Sequence, residues 1–356
     1  MHSFWIKSRN FDFWWFIAPM LLPPLLVGLI PGKFLAQQQT DIFPWSWILI
    51  VLTIDVAHVY STVYKTYFNP LALKRHKLKL YALPIIVWIA GALVYSQSTR
   101  FFWSVVAYFA VFHFIRQQYG FFRLYSIKSI ATKSQQRLLN LCIYSVMVIP
   151  IAIWHVRGQR NFNWMTEGDF FYLSTPSLEP VFQVLFLIVL VSYLALEVKL
   201  SWKSQPFNFP RVLLTFATGI SYYTAIVLTN NDFLFSLINV VGHGIPYMAL
   251  VWWSEKKNLN EKSPGILKTV LSKWGVILFY VLILAMAYFE EALWDALIFR
   301  EKSVPFGWTY TFLHEIQNSI VLVIVVPLLI MPQIVHYILD GYIWKNKQNK
   351  TFISPT

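Results

Sequence analysis

The sequence predicts an all-α fold: a polytopic integral membrane bundle of about ten transmembrane helices, with N- and C-termini cytoplasmic. Three observations carry that prediction. Only 13% of the 356 residues are charged and 57% are hydrophobic, whereas soluble domains carry about 25% charged residues; the mean hydropathy is +0.53. The apolar residues gather in runs of roughly 20, the length a helix needs to cross the hydrocarbon core. Lys and Arg fall in short clusters between those runs, and the clusters alternate in size from one loop to the next.

The spans follow in order. The first, 11–31, comes after Lys7 and Arg9 and resembles a signal peptide. Its length, with only "FLAQQ" as a weak cleavage site, makes it a retained span. The second, 44–64, contains "VLTIDVAHVYST", which sets Asp55 and His58 one helical turn apart in an apolar run. The third and fourth, 80–97 and 101–122, are parted by a short break around Arg100. The fifth, 138–156, holds Cys142, the only cysteine, which excludes an intrachain disulfide framework and any CxxC site. The sixth, 179–198, ends near Glu197, expected to snorkel to the surface. Only "TNND" separates the seventh, 211–229, from the eighth, 232–253, which predicts a tight helical hairpin. The ninth, 274–294, carries Glu290 and Glu291 towards its outer end, where a solvated or lid-pairing role is expected. The tenth, 319–343, is interrupted by Pro327 and Pro332.

The loops test this count. With a cytoplasmic N-terminus, the inside segments hold Lys7/Arg9, Lys65/Lys74/Arg75/Lys77/Lys79, Arg116/Arg123/Lys128/Lys133/Arg137, Lys199/Lys203/Arg211, Lys256/Lys257/Lys262/Lys268/Lys273 and Lys345/Lys347/Lys350. That is 23 of the 29 basic residues, against Lys33, Arg100, Arg157, Arg160, Arg300 and Lys302 outside. The positive-inside rule therefore supports ten spans, and missing one would scramble the alternation. The net charge of +13 is explained by this placement and does not call for nucleic acid. Residues 1–356 read as a single transmembrane domain of a multi-pass protein, in the inner or plasma membrane if bacterial. Segments 157–178 and 295–318, rich in Trp, Phe and Tyr, read as partial lids at the interface.

Ionisable groups within a bilayer are costly and face the bundle interior, so each is a functional candidate. His58, His113, His243 and His336 lie on the second, fourth, eighth and tenth spans, each between the midpoint and the cytoplasmic end. At about 1.5 Å of rise per residue their depths agree within roughly 10 Å, so the four side chains can converge on one point. Each has a polar neighbour on its own helix face, at the spacing where side chains meet: Asp55 in "DVAH", Arg116 and Gln117 in "HFIRQ", Asn239 in "NVVGH" and Asp340 in "HYILD". A metal-bound histidine donates its second ring N–H to such a group. Glycines flank His243 in "GHGIPY" and would allow close helix approach, with a local distortion at Pro246. His155, His314, His2 and His76 lie near or beyond the span ends, and "HEIQN" lacks the second histidine of a zinc-protease helix.

The expected chemistry is metal-dependent. Imidazole suits iron, copper, zinc and nickel, and histidine with carboxylate and an open position suits non-haem iron. The leading reading is a non-haem iron oxygenase or hydroxylase acting on a lipid or isoprenoid, with membrane lipids and a lipophilic small molecule as partners. The four histidines would be ligands, and Asp55 and Asp340 ligands or their supports, with Gln117 and Asn239 behind them. Arg116 would hold a substrate headgroup or balance the carboxylates. The pattern is similar in general design to histidine-rich membrane oxygenases, among them the carotenoid-cleaving dioxygenases, but the HxxxH and HxxHH boxes of membrane desaturases are absent. Zinc, copper or a single haem are the other metal readings. Two readings without a metal stay open: a lipid-modifying acyl or prenyl transferase using a histidine base, and a proton-coupled transporter with an Asp/His relay.

Overall fold

A computed structural model describes residues 4–29, 44–203, 206–259, 265–272 and 274–344. The end of the first expected span, "FLAQQ", His2, Lys33, Lys262, Lys273, Lys345, Lys347 and Lys350 lie outside the described residues. The chain is all-helical, with no strand among the described residues. Its principal helices are α1 (Arg9–Gly28), α2 (Trp45–Lys65), α3 (Pro70–Gln97), α4 (Thr99–Ser126), α5 (Lys133–Arg157), α6 (Pro176–Trp202), α7 (Phe209–Leu228), α8 (Asp232–Asn258), α9 (Gly275–Phe299) and α10 (Ser319–Ile343).

Nine of these are long and apolar enough to cross a membrane, among the described residues. The exception is α4, where the fourth span was expected. It is a continuous helix of 28 residues, but Arg100, His113, Arg116, Gln117, Gln118 and Arg123 lower its apolar content. A second difference lies in α3, which begins ten residues before the expected 80. Asn69 accepts the backbone N–H of Leu71 and Ala72 at 3.1 and 3.2 Å, and Pro70 occupies the first helical position, where its missing N–H costs nothing. The basic stretch is thus helical, and non-helical angles at His76 mark a kink within it. Elsewhere the starts follow the same logic. Thr132 and Gln135 form a reciprocal capping box at α5, and Asn208 and Asn318 cap α7 and α10.

The chain divides into two compact units. One comprises Met1–Ile42 and Val111–Pro246, the other Phe43–Ala110 and Tyr247–Thr356. In the first, Val146, Ile149 and Ile153 of α5 pack with Phe186 of α6 and Val227 of α7. A Cβ on Gly219 would come within 3.0 Å of Val146, so glycine permits that helix approach. The expected short break is present, since residues 229–231 alone separate α7 from α8, with Asn231 accepting from the N–H of Leu234 at 3.0 Å.

Glu197 departs from its expected snorkelling. It is fully buried, because its two oxygens accept from Nε and Nη2 of Arg211 at 2.7 Å each. Of segment 157–178, residues 158–175 form the loop between α5 and α6, with the Asp169 carboxylate accepting the N–H groups of Trp164 and Met165 at 2.9 and 2.7 Å.

The second unit has one core built from Leu52, Val56, Ala57 and Tyr64 of α2 with Phe279, Ile283 and Ala287 of α9. Another joins Leu80 and Val87 of α3 to Val335 and Leu339 of α10. Glu290 is buried rather than solvated: it accepts from the Tyr60 hydroxyl at 2.6 Å and from the Gln333 amide at 3.3 Å. In segment 295–318, Asp295 accepts the N–H groups of Glu301 and Lys302 at 2.9 and 2.8 Å.

Candidate metal centre

Residues Ile48–Val56 of α2 are π-helical, and regular helix resumes at Ala57. Such widened turns occur often at functional sites. His58 follows directly and is buried. Its Nδ1 lies 3.3 Å from the Ile54 carbonyl oxygen and 3.7 Å from the nearer oxygen of Asp55. Asp55 is therefore at ion-pair distance, outside the usual hydrogen-bond range. His336 of α10 is also buried, with its ring centroid 5.0 Å from that of His58 and the planes at 79°. Its Nδ1 is 2.6 Å from Thr62 Oγ1, one helical turn beyond His58 on α2. Tyr247 of α8 stands edge-on to both, 5.9 Å from His58 and 5.1 Å from His336.

The first unit holds a second pair. His113 of α4 and His243 of α8 are buried, with ring centroids 4.9 Å apart at 77°. Phe114 covers His243 at 3.8 Å. The local chain around His243 is set by Pro246. A proline has no N–H, so the carbonyl four residues earlier loses its helical partner, and here that carbonyl belongs to Gly242. Gln118 Nε2 donates to it at 3.3 Å, and Gln117 Nε2 donates to the next carbonyl, that of His243, at 2.8 Å. Gly242 also lets α1 approach, since a Cβ there would meet Met20 Cα at 3.4 Å. Met20 shows the same device: its carbonyl precedes Pro24 by four and accepts from the Ser221 hydroxyl.

The ligand atoms of His58, His113, His243 and His336 all lie within 4.8 Å of one another, and the group could hold a metal ion. Metal–imidazole bonds are about 2.0–2.1 Å, so donors to one ion sit about 3.4 Å apart in a tetrahedron and about 4.2 Å apart across a plane. The observed limit is compatible with either. Four imidazoles and no thiolate in the group suit zinc, copper, iron or nickel.

The other candidate residues are placed as follows. Gln117 reaches the His243 backbone, where the sequence paired it with the His113 ring. Asn239 donates to the Phe235 carbonyl at 3.0 Å. Asp340 accepts from Trp344 Nε1 at 2.5 Å. Arg116 is exposed on α4, bonded to the Tyr144 hydroxyl and lying over the Tyr119 ring at 5.2 Å, whereas His113 one turn before it is buried. Outside the group, His155 is bonded to its own helix at the Ile151 carbonyl and His314 is exposed. Thr62, Tyr247 and Gln118 were not foreseen; the only sequence signal for any of them is Pro246, which demands a donor for Gly242. The comparisons with known proteins assign the chain to no family: no family model, no curated protein and no solved structure matches it.

Proposed function

We propose that this chain is a multi-pass membrane metalloenzyme whose ion is held by His58, His113, His243 and His336, and that it is a non-haem iron oxygenase or hydroxylase acting on a lipid or isoprenoid. One observation carries the reading: four buried imidazoles whose ligand atoms lie within 4.8 Å of one another. Imidazole nitrogens gathered at that separation can share one ion. Among the described residues, nine helices long and apolar enough to span a membrane put lipid-soluble substrates within reach. Iron bound by histidine with an open position would add oxygen chemistry. Exposed Arg116 would meet the polar end of such a substrate. The transferase reading would use an Asn239/His243 or an Asp55/His58 pair as its base; the Asn239 Nδ2 donates to the Phe235 carbonyl, and Asp55 stands 3.7 Å from His58 Nδ1, beyond the usual hydrogen-bond range.

The test is metal analysis of protein purified without added metal, beside His58→Ala and His336→Ala. The expected result is one equivalent of a transition metal, iron in the proposed enzyme, lost in both variants while the helical circular dichroism is kept. A wild-type protein that binds no transition metal, or variants that keep the full equivalent, would overturn the proposal. Zinc or copper in place of iron would retain the centre and refute the iron oxygenase.

A further inference from the structure

We propose that Asp340, Tyr247 and Thr62 form a hydrogen-bonded chain that fixes the tautomer and orientation of His336, with Thr62 and Tyr247 acting as positioning residues. All four residues are buried within the second unit, on three helices. Thr62 Oγ1 lies 2.6 Å from His336 Nδ1 and 3.0 Å from the Tyr247 hydroxyl. Tyr247 and Asp340 are hydrogen-bonding neighbours in turn, and Trp344, itself a neighbour of the Tyr247 hydroxyl, donates its Nε1–H to the carboxylate at 2.5 Å.

The chemistry of the groups gives the chain its direction. An ionised carboxylate can only accept, while a hydroxyl donates one hydrogen and accepts others. Tyr247 therefore donates to Asp340, Thr62 donates to the Tyr247 oxygen, and the Thr62 oxygen accepts the Nδ1–H of His336. The opposite direction would set the Tyr247 oxygen against the Asp340 carboxylate oxygen, acceptor against acceptor. With Nδ1 protonated, Nε2 carries the lone pair of the neutral ring. Asp340 thus acts on His336 as the carboxylate of a carboxylate–histidine–metal arrangement does, but through two hydroxyls supplied by α2 and α8. His58 reaches the same state by a different route, its Nδ1 facing the Ile54 carbonyl of its own helix.

The effect on metal affinity rests on the metal reading above; the tautomer does not. The experiment has two arms for that reason. In the first, the chelated, metal-free full chain in lipid nanodiscs, labelled with 15N in its histidine rings, is compared at mildly alkaline pH with Thr62→Val, Thr62→Ser and Tyr247→Phe. His336 is assigned by its loss in His336→Ala. The expected result is the Nδ1–H tautomer in the wild type and in Thr62→Ser, and a mixture of tautomers in Thr62→Val and Tyr247→Phe. In the second arm, Co²⁺ affinity is titrated by its visible spectrum. Thr62→Val and Asp340→Asn are expected to lose about 10–100-fold, with Thr62→Ser close to the wild type.

An Nε2–H tautomer in the wild type, or Thr62→Val behaving as Thr62→Ser in the first arm, would overturn the chain. A protein that binds no Co²⁺ but shows the expected tautomers retains the chain and overturns the metal centre instead. The two failures are distinguishable.

Discussion

Breaking the Glu197–Arg211 pair is the sharpest test of how the first unit is held. Both side chains are fully excluded from solvent, and two parallel hydrogen bonds of 2.7 Å join them. The third guanidinium nitrogen donates to Ser126 Oγ at 3.1 Å, and the Phe122 ring lies 5.6 Å beneath. At an effective dielectric of about 20, unit charges about 4 Å apart attract by roughly 4 kcal/mol. Much of that is cancelled by the cost of taking both ions out of a polar medium, so the pair itself adds little net stability. Removing one partner is different, because the other charge stays buried and uncompensated, at about 3–5 kcal/mol. Glu197→Leu and Arg211→Met are each expected to lose that much. The double variant Glu197→Leu/Arg211→Met should be more stable than either single one, since no charge is stranded. Reversible unfolding in mixed micelles, followed by circular dichroism across a denaturing-detergent titration, gives the three differences. Single variants within about 1 kcal/mol of wild type would refute the stranded-charge argument. Additive losses in the double variant would refute it equally, because additivity means the two groups do not interact.

Two further predictions concern how polar groups are satisfied. Asp169→Ala removes the acceptor for the N–H groups of Trp164 and Met165 and should speed hydrogen exchange across 157–178 without changing it in α5. Burial holds the Asp169 carboxyl above the usual carboxylate range, against the downward pull of those backbone bonds. A raised folded pKa means that the folded loop binds the proton more tightly than the unfolded one. Protection of the loop, corrected for intrinsic exchange, should therefore be fully present below the ordinary carboxylate pKa and decline as pH rises through the raised value. Asp169→Asn should flatten that profile, and protection that rises over the same window would contradict it. In α8, Pro246→Ala restores an N–H for the Gly242 carbonyl, so Gln118→Leu should cost about 1–3 kcal/mol beside proline and clearly less beside alanine. Equal costs in the two backgrounds would show that Gln118 does not stand in for the missing N–H.

Much of the helical order was legible because apolar length is a local property. The expected tenth span, 319–343, coincides with α10, and the short break at "TNND" is where the chain turns between α7 and α8. The start of α3 was not legible from hydropathy. Lys74, Arg75, Lys77 and Lys79 made the stretch read as loop, whereas Asn69 and Pro70 are the residues that set the helix start, and capping is indifferent to charge further along. Common depth on separate spans likewise brought out the four histidines, since rise per residue is nearly constant along a helix.

Partners are where local reasoning fails, and the reason is geometric. Spacing of three or four along one helix says which residues share a face, but not which residue of another helix that face meets. Glu197 looked free to reach the surface because its partner, Arg211, sits in the first turn of the following helix. Gln117 was paired by spacing with His113, yet it serves a backbone carbonyl 126 residues away. His336 has an aspartate one turn along its own helix, yet its Nδ1 faces a threonine 274 residues distant. A buried polar group announces in the sequence that something must satisfy it, and a proline announces the same for the carbonyl four residues before it. Which side chain answers depends on the rotation and register of packed helices, quantities that no single run of residues contains. Thr62 illustrates the asymmetry: threonine is common in apolar helices, has no motif, and becomes informative only when the ring it faces is known.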